Sequence, residues 1–549
     1  MRPSISLHRL HPSAGKPEIR QGGDAFTISL CCHSQRRREG MHYLLSVFTP
    51  NTALVMAVSI LMILTVACSP SSTPPAGEPK PGATTTSVPA PGVPTASFLP
   101  ADSYTVVERD RSPVTATETW RNGNIYVLRD DITVEENATL AIEPGVIVKL
   151  IGGDRTQIFV KGTIRAEGTA EHPIFFTSLH DDAIGGDTDG DSGANTPLPG
   201  DWDVIIFEDS SSDERSVMRN VEFRYAGAGW WGGPIGLNNA SPTLENIRMV
   251  DNRRNAFVVA HTTWHTNHWN NTGIPYYLPD DITIDERSTL TIGPGVIIKL
   301  SGGDRTQIFV KGAIKAEGTE DAPIMFTSLY DDTIGGDADN DAGETAPLPG
   351  DWDAIIFEDS SSDERSAMRN TEFRYAGAGW WGGPIGLNNA SPTLENVRMR
   401  DNRRNAFVVA HTTWRTNRWH NLGIPYYLPD DITIEQRSTL TIAPGVVVKL
   451  SGGDRTQIFV DGVLKAEGTP ERRIVFTSLQ DDTVGGDTNN DGDASAPLAG
   501  DWDAVIFRGQ TASQSVLRHV DIKYARDKAV RLEKGASPIL DDVNVMHPE

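Results

Sequence analysis

The sequence predicts an all-β protein built from three copies of one unit of about 150 residues, and three observations carry that expectation. The string Gly-Gly-Asp-Arg-Thr-Gln-Ile-Phe-Val begins at Gly152, Gly302 and Gly452, an offset of 150 each time. Between 201–260 and 351–410, 55 of 60 positions are identical. Within each copy, apolar and polar residues alternate in short pieces of period two, the period of a half-buried strand.

The copies fall at 119–268, 269–418 and 419–549, the third incomplete. In the first, Ile142, Val146, Val148, Ile158, Val160 and Ile164 form one series of inward candidates. Ile205 and Phe207, Val221 and Phe223, Ile235 and Leu237, and Ile247 and Met249 continue it. Turn signals such as Pro144-Gly145 and Asn238-Asn239 recur too often for helices. An array of near-identical copies points away from a single catalytic constellation and toward a long surface that presents one feature several times.

The segments before the repeats read differently. Residues 1–40 look like a doubtful extension, with the true start near Met41. Residues 41–68 read as a lipoprotein-like signal, because the apolar run 53–67 is short for a membrane span and suits a secretory core. Leu64-Thr65-Val66-Ala67-Cys68 resembles a bacterial lipobox, although Thr65 stands where Leu or Val is usual; the resemblance implies lipidation of Cys68. Residues 69–118 read as a Pro/Ser/Thr-rich tether and N-terminal cap, with nine prolines between 69 and 100. The body after Cys68 contains no cysteine, so no disulfide framework is expected there. This layout predicts a chain displayed outside the cytoplasm, at the cell envelope or surface, and held to the membrane through its lipid alone.

The net charge is −24, from 49 Lys+Arg against 73 Asp+Glu. Nucleic-acid binding needs clustered basic residues, so that class is excluded.

Short strands on a repeating frame suit a sandwich, a propeller or a solenoid. The run Ala240-Ser-Pro-Thr-Leu-Glu-Asn-Ile-Arg-Met-Val-Asp-Asn252 resembles a rung of the right-handed parallel β-helix, the pectate-lyase-like fold. The phrases GVIVKL…IFVKGTIRAEGT…PIFFTS and GDW…IIF resemble bacterial repeat proteins of that fold, over roughly 119–549. The resemblance implies a right-handed parallel β-helix solenoid, with Asn252 and Asn402 in the places of stacked inner-turn asparagines. At about 22 residues per coil, some 19 coils at ~4.8 Å would make a rod of about 90 Å.

The strongest chemical signal is an acidic loop present three times. The first carries Asp181, Asp182, Asp187, Asp189 and Asp191 and runs on to Asp201 and Asp203, with no Lys or Arg after Phe176. The second carries Asp331, Asp332, Asp337, Asp339 and Asp341, and the third Asp481, Asp482, Asp487, Asn489, Asp491 and Asp493. So many like charges call for neutralisation, and calcium takes six to eight oxygens in flexible geometry. Asp487-Thr-Asn489-Asn-Asp491-Gly492 matches the first half of an EF-hand loop. The closing Glu is missing, because residue 498 is Leu, so Asp481, Asp482 or Asp501 would have to complete the shell. We therefore expect Ca2+ as a structural cofactor at these sixteen positions; the alternative is a solvated acidic loop.

Trp230-Trp231 and Trp380-Trp381 lie in Gly-rich excursions that the third copy lacks. Such rings either stack on sugars or fold down onto the flank of the solenoid. Trp202, Trp352 and Trp502 read as structural. His261, His265 and His268 suggest a metal, but the second copy keeps only His411 and has Arg415 and Arg418, which cannot ligate zinc.

The pectate-lyase-like fold includes enzymes that cleave acidic polysaccharides with calcium and an Arg base. Arg224, Arg253 and Arg254 and their repeats Arg374, Arg403 and Arg404 are available. That group's Trp-Ile-Asp-His, Gly-His-Gly and Arg-Ile-Lys segments are absent, and fold alone does not license an activity. The expectation is a non-catalytic rod whose partner is a polysaccharide or another cell surface, with a calcium-dependent polysaccharide lyase or glycoside hydrolase as the alternative.

Overall fold

Period-two strands fold here into a parallel β-solenoid of about 16 turns with almost no helix, consistent with a right-handed coil. The computed structural model describes residues 103–260, 263–410, 416–453 and 456–546. The extension, the signal with Cys68 and most of the tether lie outside the described residues, as do His261, His411 and Arg415. No helix among the described residues is long and apolar enough to cross a membrane.

Each coil lays one strand on each of three faces. From the N-terminal end of the described chain into the first copy, one face stacks Thr105–Arg109, Asn124–Leu128, Ile147–Leu150 and Ile174–Ser178, all parallel and in register. A second stacks Thr117–Trp120, Thr139–Ile142 and Thr163–Glu167. The third stacks Ile132–Val134, Ile158–Val160, Ile205–Phe207, Ile235–Asn238 and Phe257–Ala260. Because alternate residues point inward, the interior is a continuous apolar column in which Leu128, Leu150, Phe207, Phe223 and Phe257 have no exposed surface. Aromatic rings stack from coil to coil, as Phe176 on Phe223 at 5.3 Å and Phe326 on Phe373 at 5.0 Å.

The corners explain a second set of residues. Val217–Arg224 serves two faces at once: Val217–Arg219 pair with Arg165–Glu167, and Val221–Phe223 with Ile174–Phe176. The bend falls at Asn220, whose φ of 49° lies in the left-handed region that Asn tolerates best. Asn246, Asn370 and Asn396 do the same in later coils. Asn246 Nδ2 donates to Asn220 Oδ1 at 3.3 Å, and Asn396 to Asn370, so these are the stacked asparagines. Asn252 and Asn402, expected in that role, are instead buried braces. Asn252 Oδ1 accepts the Ala226 N–H at 2.9 Å, and its Nδ2 donates to Phe223 O at 3.0 Å.

The expected 19 coils become about 16 because coils differ in length. The acidic loop is inserted within one coil of each copy, and Asn220 contacts Gly168 one coil below but 52 residues back. At the strand-stacking distance the described rod is about 75 Å long.

Successive copies are not superposed by simple stacking. Tyr276–Leu278 is the second copy's counterpart of a first-face strand, yet it pairs with Phe257–Ala260 on the third face. Phe407 pairs with Tyr426 in the same way at the next boundary. Each copy thus takes five turns and one face more, which turns every repeated feature by about a third of a turn around the axis. The three acidic loops leave the rod at three different corners. The repeated feature is therefore presented several times along the rod, but on different sides of it and not in one row.

Candidate functional site

The acidic loop begins where an outward-facing lysine meets the chain leaving the coil. In Ile147–Leu150, alternation points Val148 and Leu150 inward and Ile147 and Lys149 outward. Lys149 nevertheless has no exposed surface, because the loop folds down over it. Its Nζ donates to Asp181 O at 3.0 Å and to Gly186 O at 2.7 Å. Lys299 repeats this with Asp331 O at 3.0 Å and Gly336 O at 2.6 Å, and Lys449 reaches Gly486 O at 2.7 Å. Burial holds all three ammonium groups below their ordinary pKa, against the pull of the neighbouring aspartates. Sequence reasoning misses these cations because they lie one coil below the loop, about 32 to 37 residues before the carbonyls they reach. The signal is a lone Lys recurring in an otherwise apolar strand. Lys299→Met is expected to cost about 2–3 kcal/mol, since two covered carbonyls lose their donor. Denaturant unfolding of the variant and parent checks it.

The candidate ligands separate into two groups. Asp181, Asp331 and Asp481 turn under the loop: each accepts the hydroxyl of Thr177, Thr327 or Thr477 at 2.6 Å. Arg224 lies 3.9 Å from Asp181, Arg374 3.6 Å from Asp331, and Lys523 3.8 Å from Asp481. The remaining residues converge. Carboxylate oxygens of Asp182, Asp187 and Asp189, of Asp332, Asp337 and Asp339, and of Asp482, Asp487 and Asp491 lie within 4.8 Å of one another in each group. Asp191 joins a neighbouring group with Asp189 and His180, whose Nδ1 sits 2.8 Å from Asp189. Asp341 instead caps the turn, accepting the N–H groups of Gly343, Glu344 and Thr345. Asp493 is exposed and stands outside the third group. Asp501, a possible closing ligand, is held by the Ser478 hydroxyl and the Leu498 N–H.

Several oxygens in these groups, and Asn489 Oδ1 beside the third, are buried and accept no hydrogen bond: Asp182 Oδ1, Asp332 Oδ1, Asp339 Oδ1, Asp482 Oδ1 and Asp491 Oδ1. Burial and then the neighbouring Asp337 charge hold Asp332 above the ordinary carboxylate range. Burial, reinforced by Asp341, pushes Asp339 up to about 6. A hard cation would satisfy these oxygens and relieve that repulsion, and the donor set of carboxylates and one amide oxygen suits calcium.

Where the loop re-enters the rod, Asp353 is buried, accepting the Gly379 N–H at 2.9 Å and Gln307 Nε2 at 2.7 Å. Burial pushes its pKa from 3.8 up to about 6. The fold therefore favours the neutral form. That stabilisation is full below the unfolded value and is lost as pH rises through about 6. Asp353→Asn is expected to flatten this part of the stability curve, so that the parent loses ground against the variant from pH 4 to 6. Melting both proteins across that range checks it. In the third copy Asp503 faces the Arg531 guanidinium instead, at 2.9 Å.

The tryptophan pair divides. Trp231 folds down onto the flank, so close over Gly236 that a Cβ there would meet the ring at 2.6 Å. Trp230 stands out, 57 % exposed, edge-on to its neighbour at 5.4 Å. Beside them lies a cleft of about 380 Å³, floored by Val259, Ala260 and Ile282 and edged by Asp280 and Asp281. Trp380 and Trp381 repeat the edge-on pair at 5.2 Å, with Trp380 49 % exposed. Trp202, Trp352 and Trp502 are fully buried.

The arginines offered as a catalytic base are engaged structurally. Arg224 Nε donates to Glu222 at 2.5 Å, Arg374 is buried against Glu372, and Arg254 lies 5.0 Å over the Tyr277 ring.

No curated protein and no solved structure matches the chain. Residues 113–191, from the first coils to the middle of the first acidic loop, match the family model described as pectate-lyase like beta helix domain.

Proposed function

We propose that this chain is a non-catalytic, calcium-stabilised β-helix rod, lipid-anchored at a cell surface, which binds carbohydrate or another surface. The observation that carries the reading is the thrice-repeated group of converging carboxylates with buried oxygens that accept no hydrogen bond. Calcium in those groups would order each loop against the rod. The exposed Trp230 and Trp380, each set on a second, seated Trp, offer flat faces suited to sugar rings. Lipid attachment at Cys68 and display outside the cytoplasm rest on the signal-like segment and the proline-rich tether alone.

The test is a panel of acidic and neutral polysaccharides, with and without calcium, read for retention and for newly released sugar ends. Retention without release is expected. Calcium-dependent release would replace this reading with a polysaccharide lyase or hydrolase. Within the same panel, Trp230→Ala together with Trp380→Ala is expected to weaken retention at least tenfold, given roughly 1 kcal/mol of stacking per ring. Unchanged retention would remove the sugar role of the pair.

A further inference from the structure

Hydrogen-bonded continuity of the rod is weakest where one copy meets the next. Among the described residues, Phe257–Ala260 with Tyr276–Leu278 is the one strand ladder that joins the strands up to residue 260 to those from residue 263 onward. Thr243–Val250 pairs below with Val217–Arg224, and Asn267–Trp269 pairs above with Thr289–Ile292, but the two do not pair with each other. The second boundary repeats this, with Phe407–Ala410 on Tyr426–Leu428 as its crossing ladder.

The second acidic loop lies over that crossing. Ala338 is 1 % exposed and packs with Ala256 and Val258 of the first copy and with Tyr277 and Leu329. The Asn255 N–H donates to Ala338 O at 2.8 Å. In the third loop Thr488 takes the same place, buried, with the Asn405 N–H donating to its carbonyl at 2.8 Å. The docking residue sits beside the oxygen group in each case: Asp337 and Asp339 of the group flank Ala338, and Asp487 of the group and Asn489, whose Nδ2 donates to Asp491 at 2.7 Å, flank Thr488. An ion that fixes the flanking side chains must fix the residue between them. The first loop differs, since its Leu179 and Ile184 cover Ile125, Val127 and Ile147 of its own copy.

We infer that the cation in the second and third loops latches each copy to the one before it, so that calcium governs cohesion across the boundaries and not only order within the loops. The inference rests on the calcium reading above. It makes the ion a regulator of the rod's continuity: with calcium the three copies behave as one body, and without it they part at two defined places.

The experiment is amide hydrogen exchange by mass spectrometry on the full chain, with calcium and with chelator, alongside calorimetric calcium titration. Calcium is expected to slow exchange about tenfold at Phe257–Ala260 and Tyr276–Leu278, and equally at Phe407–Ala410 and Tyr426–Leu428. The double variant D337N/D339N is expected to lose that protection at the first boundary and keep it at the second. Ala338→Gln, which leaves every carboxylate in place, is expected to retain the heat of binding and lose the same protection. Binding heat with protection confined to the loops, or a D337N/D339N effect spread equally over both boundaries, overturns the inference and leaves the calcium reading standing. Absence of binding heat overturns the calcium reading itself, and the latch with it.

Discussion

Calcium at a thousandfold its dissociation constant is expected to raise the unfolding free energy by about 4 kcal/mol for each loop it fills. The gain follows from mass action, since the groups are assembled only in the folded chain. The loops should not fill equally. The second brings Asp332, Asp337 and Asp339 together and the third Asp482, Asp487 and Asp491, but in the third Asn489 stands in the place of Asp339 and its Nδ2 already engages Asp491 at 2.7 Å. In the first, the His180 ring at 2.8 Å already engages Asp189. The second loop should therefore bind most tightly. A solenoid need not melt in one step, so scanning calorimetry should show separate transitions moving at different calcium concentrations. Magnesium, which demands tight octahedral geometry and gives up water reluctantly, should shift them less. Traces identical in calcium and chelator would retire the calcium assignment.

Trp352→Ala is expected to cost about 3–5 kcal/mol, the range for emptying a large aromatic from a closed core. Trp352 has no exposed surface, and its Nε1 donates to Arg374 O at 2.7 Å. It also ties the end of the acidic loop to the coil, because its own carbonyl accepts the Ala378 N–H at 3.0 Å. Trp352→Phe keeps most of the volume and loses the donor, so a smaller loss of about 1–3 kcal/mol is expected. Denaturant unfolding of the two variants separates the packing contribution from the hydrogen bond. A loss under 1 kcal/mol for the alanine variant would mean that the ring is not a core element.

Much of the architecture is legible in the chain because it depends on local periodicity. Ile205 and Phe207, or Ile158 and Val160, alternate inward for the same reason that they read as strands. The 150-residue offset is enough by itself to reveal the repeat. The parallel coil rests on a resemblance, and the structure agrees with it. The acidic groups are legible in composition, but not in which carboxylates meet. Asp181 and Asp182 are neighbours in sequence, yet the first hydrogen-bonds Thr177 beneath the loop while the second faces the oxygen group. That nothing basic serves the loop is true of the loop and false of the fold, because Lys149 arrives from the coil below. The two tryptophans of each pair are indistinguishable by sequence. One is seated on a glycine of the next strand and the other is not.

By itself, the sequence determined the all-β class, the threefold repetition, the inward residues and the acidic composition of the loops. All of these depend on neighbours along the chain and on the two-residue period of a strand. The tertiary structure alone decided the coil count, the asparagine stack at the corners and the lysine beneath each loop. It also decided the turn of one face between copies and the docking of one copy's loop on the copy before it. These depend on which coil lies over which. That register is set by how many faces the chain visits in each 150-residue copy, and a linear repeat carries no mark of whether that number divides by three.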